Sequence, residues 1–165
     1  MQEQKTAQLV YAEPPTSKEG LQAFIGLGSY YRRFIYQFAK LVRPLQYLLK
    51  TVEGKNTLVW DLQALAAFEA VKKAVTTAPI LQPPRADLPY IVDSDASCDS
   101  VGAVLSQVVD NKERPVFFFS RVMTTAEKNY SVTEKEGLAL IAGLQKFRVY
   151  LLGNVVVARC AARVW

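Results

Sequence analysis

Hydrophobic positions keep a helical period through the first part of the chain and a strand period after a proline-rich stretch. Leu21, Phe24 and Ile25 share one helical face, and Thr16-Ser17-Lys18-Glu19 ahead of them has capping-box spacing, with Thr16 placed to cap and Glu19 to reach back. Gly26 and Gly28 are expected to end that helix early. The pattern resumes at Tyr30 and runs through Phe34, Ile35, Phe38, Leu41, Leu45, Leu48 and Leu49, one amphipathic helix or two joined near Pro44. After a polar connection from Thr51 to Val59, Asp61 can cap a further helix carrying Leu65, Phe68, Val71 and Val75, which should end before Pro79. Met1 to Glu13 is polar and mixed and reads as a loosely held lead-in.

Pro79, Pro83 and Pro84 make residues 79–89 a linker. Beyond it, Tyr90 to Ser94 and Val101 to Gln107 pattern as a hairpin, Asp110-Asn111-Lys112-Glu113 as a turn, and Pro115 to Ser120 as a third strand. Ser131-Val132-Thr133-Glu134 is a second capping box; it opens a long helix through Leu138, Ile141, Leu144, Phe147 and Leu151 to Gly153, before a fourth strand at Val155 to Ala158. The expected class is α+β. A lead-in (1–15) and a small helical segment (16–78) precede the linker, and residues 90–165 hold three antiparallel strands, a long helix and the fourth strand.

Half of the residues are hydrophobic, enough for a core. The longest run without a polar side chain, Gly137 to Leu144, is too short to cross a membrane, and the first residues do not resemble a signal peptide. A soluble, intracellular protein with no membrane partner is expected. Cys98 and Cys160 cannot form a disulfide framework, and the lack of histidine argues against zinc and removes the usual general base near neutral pH. Cys98 reads as an incidental thiol, and Ser97 and Ser131 as turn and cap residues. Any hydrolytic chemistry must therefore rest on carboxylates and metal ions.

The net charge of +5 is uneven: residues 1–60 hold eight Lys and Arg against four acids, residues 61–165 twelve against eleven. Aromatic and basic residues interleave in Tyr30-Tyr31-Arg32-Arg33-Phe34, which makes Arg32, Arg33 and Arg43 candidate nucleic-acid contacts. A core helix with a solvated basic side gives the same spacing. In the first strand Asp93 and Asp95 stand two residues apart and so share a face; they are either solvated or meet a cation.

Asp95-Ala96-Ser97 with Gly102-Ala103-Val104-Leu105-Ser106-Gln107 resembles the start of the ribonuclease H domain in Ty3/gypsy-type retroelement Pol polyproteins. Phe24-Ile25-Gly26-Leu27 and Tyr30-Tyr31-Arg32-Arg33-Phe34-Ile35 are similar to the reverse transcriptase thumb region, and Thr76-Thr77-Ala78-Pro79-Ile80-Leu81 to the lead into the nuclease. Ala126-Glu127-Lys128-Asn129-Tyr130-Ser131, Thr133-Glu134-Lys135-Glu136, Lys146-Phe147-Arg148 and Tyr150-Leu151-Leu152-Gly153 resemble the two ends of its first helix. The resemblance covers about Thr16 to Gly153. It implies a thumb/connection segment followed by an incomplete ribonuclease H-like fold.

The family cuts the RNA strand of an RNA–DNA hybrid with magnesium ions held by carboxylates. Carried over by motif, Asp95 is the first-strand ligand and Glu136 the first-helix ligand, both catalytic through Mg2+. Asp93 is an accessory ligand or a solvated neighbour, the second reading being preferred. The third carboxylate belongs to a Thr-Asp-His or Thr-Asp-Ser word, where this chain reads Val157-Ala158-Arg159-Cys160-Ala161. Arg159 is therefore expected at the Asp position, competing with a metal ion for the same carboxylates. The fourth ligand would follow Trp165, and the adjacent Asp pair of a polymerase palm is absent.

The implied function is that of a fragment of a retrotransposon reverse transcriptase/ribonuclease H polyprotein whose activity this chain alone does not retain. The alternative is a non-catalytic nucleic-acid-binding remnant. Implied partners are an RNA–DNA hybrid or other nucleic acid and the remainder of the polyprotein. An exposed sheet edge beside Val155 to Ala158 is expected to favour self-association.

Overall fold

The structure, a computed structural model, describes residues 3–51, 58–79 and 81–160. The helical part comprises α1 (Glu3–Val10), α2 (Lys18–Tyr30), a 3-10 turn (Arg32–Phe34), α3 (Phe38–Leu41), α4 (Arg43–Thr51) and α5 (Leu62–Thr76). Part of the expected polar connection, residues 52–57, lies outside the described residues.

Three expectations for this part are corrected. The lead-in is a helix: Leu9 on α1 is fully buried in the helical core, and Lys72 Nζ on α5 donates to the Ala12 carbonyl at 2.9 Å. So short a helix is marginal alone and is held by packing. The cap of α2 is Ser17, not Thr16, its side chain accepting from the Gly20 N–H at 3.1 Å. Nor does α2 stop at its glycines. A Cβ on Gly28 would stand 3.4 Å from the Phe38 ring and 3.5 Å from Val71, so Gly28 permits close approach of α3 and α5 and this packing offsets its poor helix propensity.

The stretch from Tyr30 is broken more finely than its apolar period suggests. After the 3-10 turn, Gln37 takes a left-handed backbone (φ 51°, ψ 36°) before α3, and Pro44 sits in the first turn of α4, where its missing N–H costs nothing. Asp61 caps α5 as expected, accepting from the Ala64 N–H at 2.7 Å. Tyr31, Leu45, Phe68, Val71 and Val75 form the centre of the helical core.

The second part is a four-stranded sheet in the order β3-β2-β1-β4, built from β1 (Tyr90–Ala96), β2 (Ser100–Val109), β3 (Lys112–Val122) and β4 (Val156–Cys160), with α6 (Val132–Leu151) before β4. β1, β2 and β3 form the antiparallel meander, turned at Asp110 and Asn111, both at positive φ. β4 pairs parallel to β1. Ser131 and Glu134 complete the capping box of α6, and Gly153 at φ 78° follows its C-terminus.

The linker is docked on the sheet by a residue that carries no apolar signal. Gln107 is fully buried: its Oε1 accepts from the Arg85 N–H at 2.8 Å, and its Nε2 donates to the carbonyls of Arg85 at 2.7 Å and Leu88 at 3.0 Å. β4 forms one edge of the described sheet, and Val155 and Val157 are exposed beside it. Among the described residues no helix is long and apolar enough to cross a membrane.

The two parts touch through residues 31–43. The Ala39 N–H donates to Ser120 Oγ at 2.9 Å, Arg32 donates to the Ser120 carbonyl at 3.0 Å, and Arg43 pairs with Asp99 at 3.1 Å. The Tyr36 ring meets Phe118 edge-on. α6 covers the other face, with Phe147 packed among Tyr90, Val92, Ala103 and Leu105.

Candidate functional site

Strand alternation puts Asp93 and Asp95 on the face away from α6, as the sequence requires, yet the two carboxylates have different partners. Asp93 stands across from Arg159 in the β1–β4 register. The Arg159 guanidinium forks onto it, Nε to Oδ1 and Nη2 to Oδ2 both at 2.7 Å, and Nη2 also reaches Glu113 Oε1 at 2.7 Å. Ser106 Oγ donates to the same Glu113 oxygen at 2.7 Å. The Arg159 hydrogen bond, followed by that of Ser106, holds the Glu113 carboxyl below its ordinary range, and the two carboxylates raise the Arg159 pKa.

Asp95, two residues on, pairs in register with Gly102. Its Oδ2 accepts from the Tyr36 hydroxyl at 3.3 Å and from Gln37 Nε2. Burial raises the Tyr36 phenol pKa, and the Asp95 carboxylate adds to the effect, so the hydroxyl remains a donor at neutral pH.

These contacts correct two expectations. Asp93 is not a solvated neighbour but half of an ion pair. Arg159, expected to compete with a metal ion for the site's carboxylates, pairs instead with Asp93, its parallel register partner, and with Glu113, and not with Asp95.

Glu136 lies in the second turn of α6, with one carboxylate oxygen buried. Ala139 and Ala142 on that helix pack with Val101 and Ala96, whereas Phe147 packs with Tyr90 and Val92. The helix thus runs antiparallel to β1, and Glu136 arrives at the same end of the strand as Asp95, from the opposite face. Of the three arginines, Arg32 and Arg43 are engaged with Ser120 and Asp99, and Arg33 is exposed with its guanidinium 4.7 Å over the Phe34 ring.

A family profile described as an RNase H-like domain found in reverse transcriptase matches residues 60–158, more than half of the chain. The chain belongs to that family. Its RNase H-like domain and the helices before it are 37% identical over 148 residues to the retrovirus-related Pol polyprotein from transposon opus of Drosophila melanogaster, covering 85% of this chain and 15% of that one. The Pol polyprotein from transposon 297 of the same organism is 39% identical over 140 residues, and the transposon Tf2-3 polyprotein of Schizosaccharomyces pombe 38% over 149. The chain spans 15% or less of the length of these relatives.

Among solved structures, foamy viral protease-reverse transcriptase in complex with double-stranded DNA superposes with a TM-score of 0.80 at 22% identity, over 96% of this chain and 33% of that one. The same protein in complex with an RNA/DNA hybrid gives 0.78 at 22% identity, over 96% and 21%. At that identity the likeness shows the fold, a helical segment followed by an RNase H-like sheet and helix.

Asp95 and Glu136 offer hard oxygen donors, the type that magnesium takes. Their number falls short of a two-ion cage. Among the described residues no three Asp, Glu, His or Cys side chains stand close enough to share an ion, and the sequence holds no acid after Glu136. Among the described residues the acids of this chain do not complete a two-ion centre.

Sequence reasoning missed Tyr36, Gln37 and Glu113. The contact of Gln37 with Asp95 joins residues 58 apart in the chain, so no local pattern carries it. The Arg159–Asp93 pair depends on the β1–β4 register, which the sequence pattern does not set.

Proposed function

We propose that this chain acts as the thumb/connection and RNase H-like portion of a retrotransposon Pol polyprotein, and that by itself it binds an RNA–DNA hybrid without cutting it. What supports this is the match, over 85–89% of the chain, to Pol polyproteins from three transposons, together with Asp95 on β1 and Glu136 on α6 at the positions of the family's motif. These two are read as the first-strand and first-helix ligands, which in the family hold Mg2+. The exposed Arg33, on the basic segment, is the first candidate for phosphate contact, with Arg32 and Arg43 contributing charge from their docked positions. Foamy viral reverse transcriptase in complex with an RNA/DNA hybrid supports this choice of ligand.

The test is a labelled RNA–DNA hybrid incubated with the chain and magnesium or manganese. The expected result is hybrid retention that weakens with salt, with Arg33→Ala lowering the salt slope by about one, and no cleavage. Cation-dependent cutting that disappears in Asp95→Asn would overturn the non-cutting part. The open β4 edge favours pairing with a second copy; sedimentation that stays monomeric as concentration rises would count against it.

A further inference from the structure

Outside the ion pairs already described, residues 36 and 37 meet Asp95 in a polar contact of their own. We infer that Tyr36, Gln37 and Asp95 form a lock that holds residues 31–43 against the sheet, so that Asp95 serves here as a docking acceptor. The inference goes beyond the proposed function and needs no metal at Asp95.

Three separate features converge on it. Both donors reach the same oxygen, Oδ2, and both are neutral, so the carboxylate supplies the only charge in the contact. Gln37 holds a left-handed backbone, sparsely populated for a residue with a side chain and retained where the surroundings fix it. That backbone also starts α3, since the Gln37 carbonyl accepts from the N–H groups of Lys40 at 3.0 Å and Leu41 at 3.2 Å. Finally, the Gln37 side chain lies across Gly102, the register partner of Asp95: a Cβ there would stand 3.6 Å from Gln37 Cγ and 3.8 Å from Cδ. Gly102 thus leaves a lane on the sheet that Gln37 occupies on its way to Asp95.

The lock ties the segment that carries Arg32, Arg33 and Arg43 to the strand that carries the family's first carboxylate. Other contacts pin the same segment, Arg32 and Ala39 on Ser120, the Tyr36 ring on Phe118 and Arg43 on Asp99, and Asp95 with its two donors adds the charge-assisted one at Gln37.

The experiment is hydrogen exchange on the full chain, read over residues 31–43, with the carboxyl carbon shift of Asp95 followed by NMR. Gln37→Ala should speed exchange there about tenfold, the size of one charge-assisted hydrogen bond at a half-exposed site, and should move the Asp95 signal; Arg33→Ala should do neither. Gly102→Val, whose methyl groups enter the lane, should reproduce Gln37→Ala without altering either partner. The double variant Gln37→Ala/Asp95→Ala should exchange no faster than Asp95→Ala alone. Additive effects, or exchange in Asp95→Ala equal to that of the unaltered chain, would overturn the lock. Manganese calorimetry on Gln37→Ala reads the metal-ligand assignment separately. Failure to bind would sink that assignment and leave the exchange result to judge the lock.

Discussion

The two faces of the sheet are held by different physics. Toward α6 the contact is apolar and tight: Val92, Ala103, Leu105 and Phe147 are buried together, and a Cβ on Gly143 would fall 2.6 Å from the Cβ of Ala103. Toward residues 31–43 the contact is made of one ion pair, Arg43 with Asp99, of hydrogen bonds to Asp95 and Ser120 and of the Tyr36–Phe118 ring contact, with ordinary van der Waals room at Gly102. The first face is fixed by shape, and the second can exchange one polar partner for another.

The sharpest break of that contrast is Gly143→Ala. The clash is with a methyl on a strand backbone, so relief requires α6 to lift from the sheet. A loss of about 1–3 kcal/mol is expected, read as a lower urea midpoint with an unchanged slope. A neutral result would mean that the α6 face is as accommodating as its opposite.

Arg159→Asp should come next. It replaces the guanidinium between Asp93 and Glu113 with a third carboxylate, so like charges from β1, β3 and β4 meet. Thermal stability should fall, and millimolar calcium should restore part of it, whereas Arg159→Ala should show little response to calcium. The ordinary register partner of Asp93 would thereby be converted into a cation site, the opposite of what stands there now.

How far the sequence foretold this contrast follows from the range of the forces involved. The Ser131–Glu134 capping box, the Asp61 cap, the hairpin and the long helix are local, and they stand within a few residues of their expected bounds. α1 and the unbroken α2 were not legible, because Leu9 and Gly28 are explained by partners on α5 and α3 far along the chain. In the candidate site strand alternation put Asp93 on the Asp95 face. The pairings of those acids depend on how β4 registers against β1 and on where the break at Gln37 aims its side chain. A one-residue slip of that register would turn Arg159 to the other face, so no sequence word fixes the pair.

A smaller effect separates polar contacts that charge controls from those that neutral groups make. Arg121 forks onto Glu127 at 2.7 and 2.8 Å, and the Thr124 N–H adds a third donor at 2.8 Å. The Glu127 pKa is pulled down to about 2, chiefly by Arg121. A carboxyl depressed in the folded state adds stability that is complete above its ordinary value of 4.5 and is lost as pH falls toward about 2. Glu127→Gln should be less stable than the unaltered chain at pH 6, and the gap should close between pH 4.5 and 2. A gap that stays constant across that window would assign the turn to packing.

Gly102→Ala should have the smallest effect, and it is the direct counterpart of Gly143→Ala. The new methyl would stand 3.5 Å from the Phe119 carbonyl oxygen and 3.6 Å from Gln37 Cγ, both normal contacts, in a strand whose backbone any residue can adopt. Removing a glycine also narrows the unfolded ensemble, which favours folding. The two contributions leave a net change within about 0.5 kcal/mol of zero, measured by the same urea midpoint that Gly143→Ala should lower. If Gly102→Ala were instead as damaging as Gly143→Ala, Gln37 would have no freedom to give. The polar face would then be fixed by shape after all, and its hydrogen bonds would be a consequence of packing rather than the cause of docking.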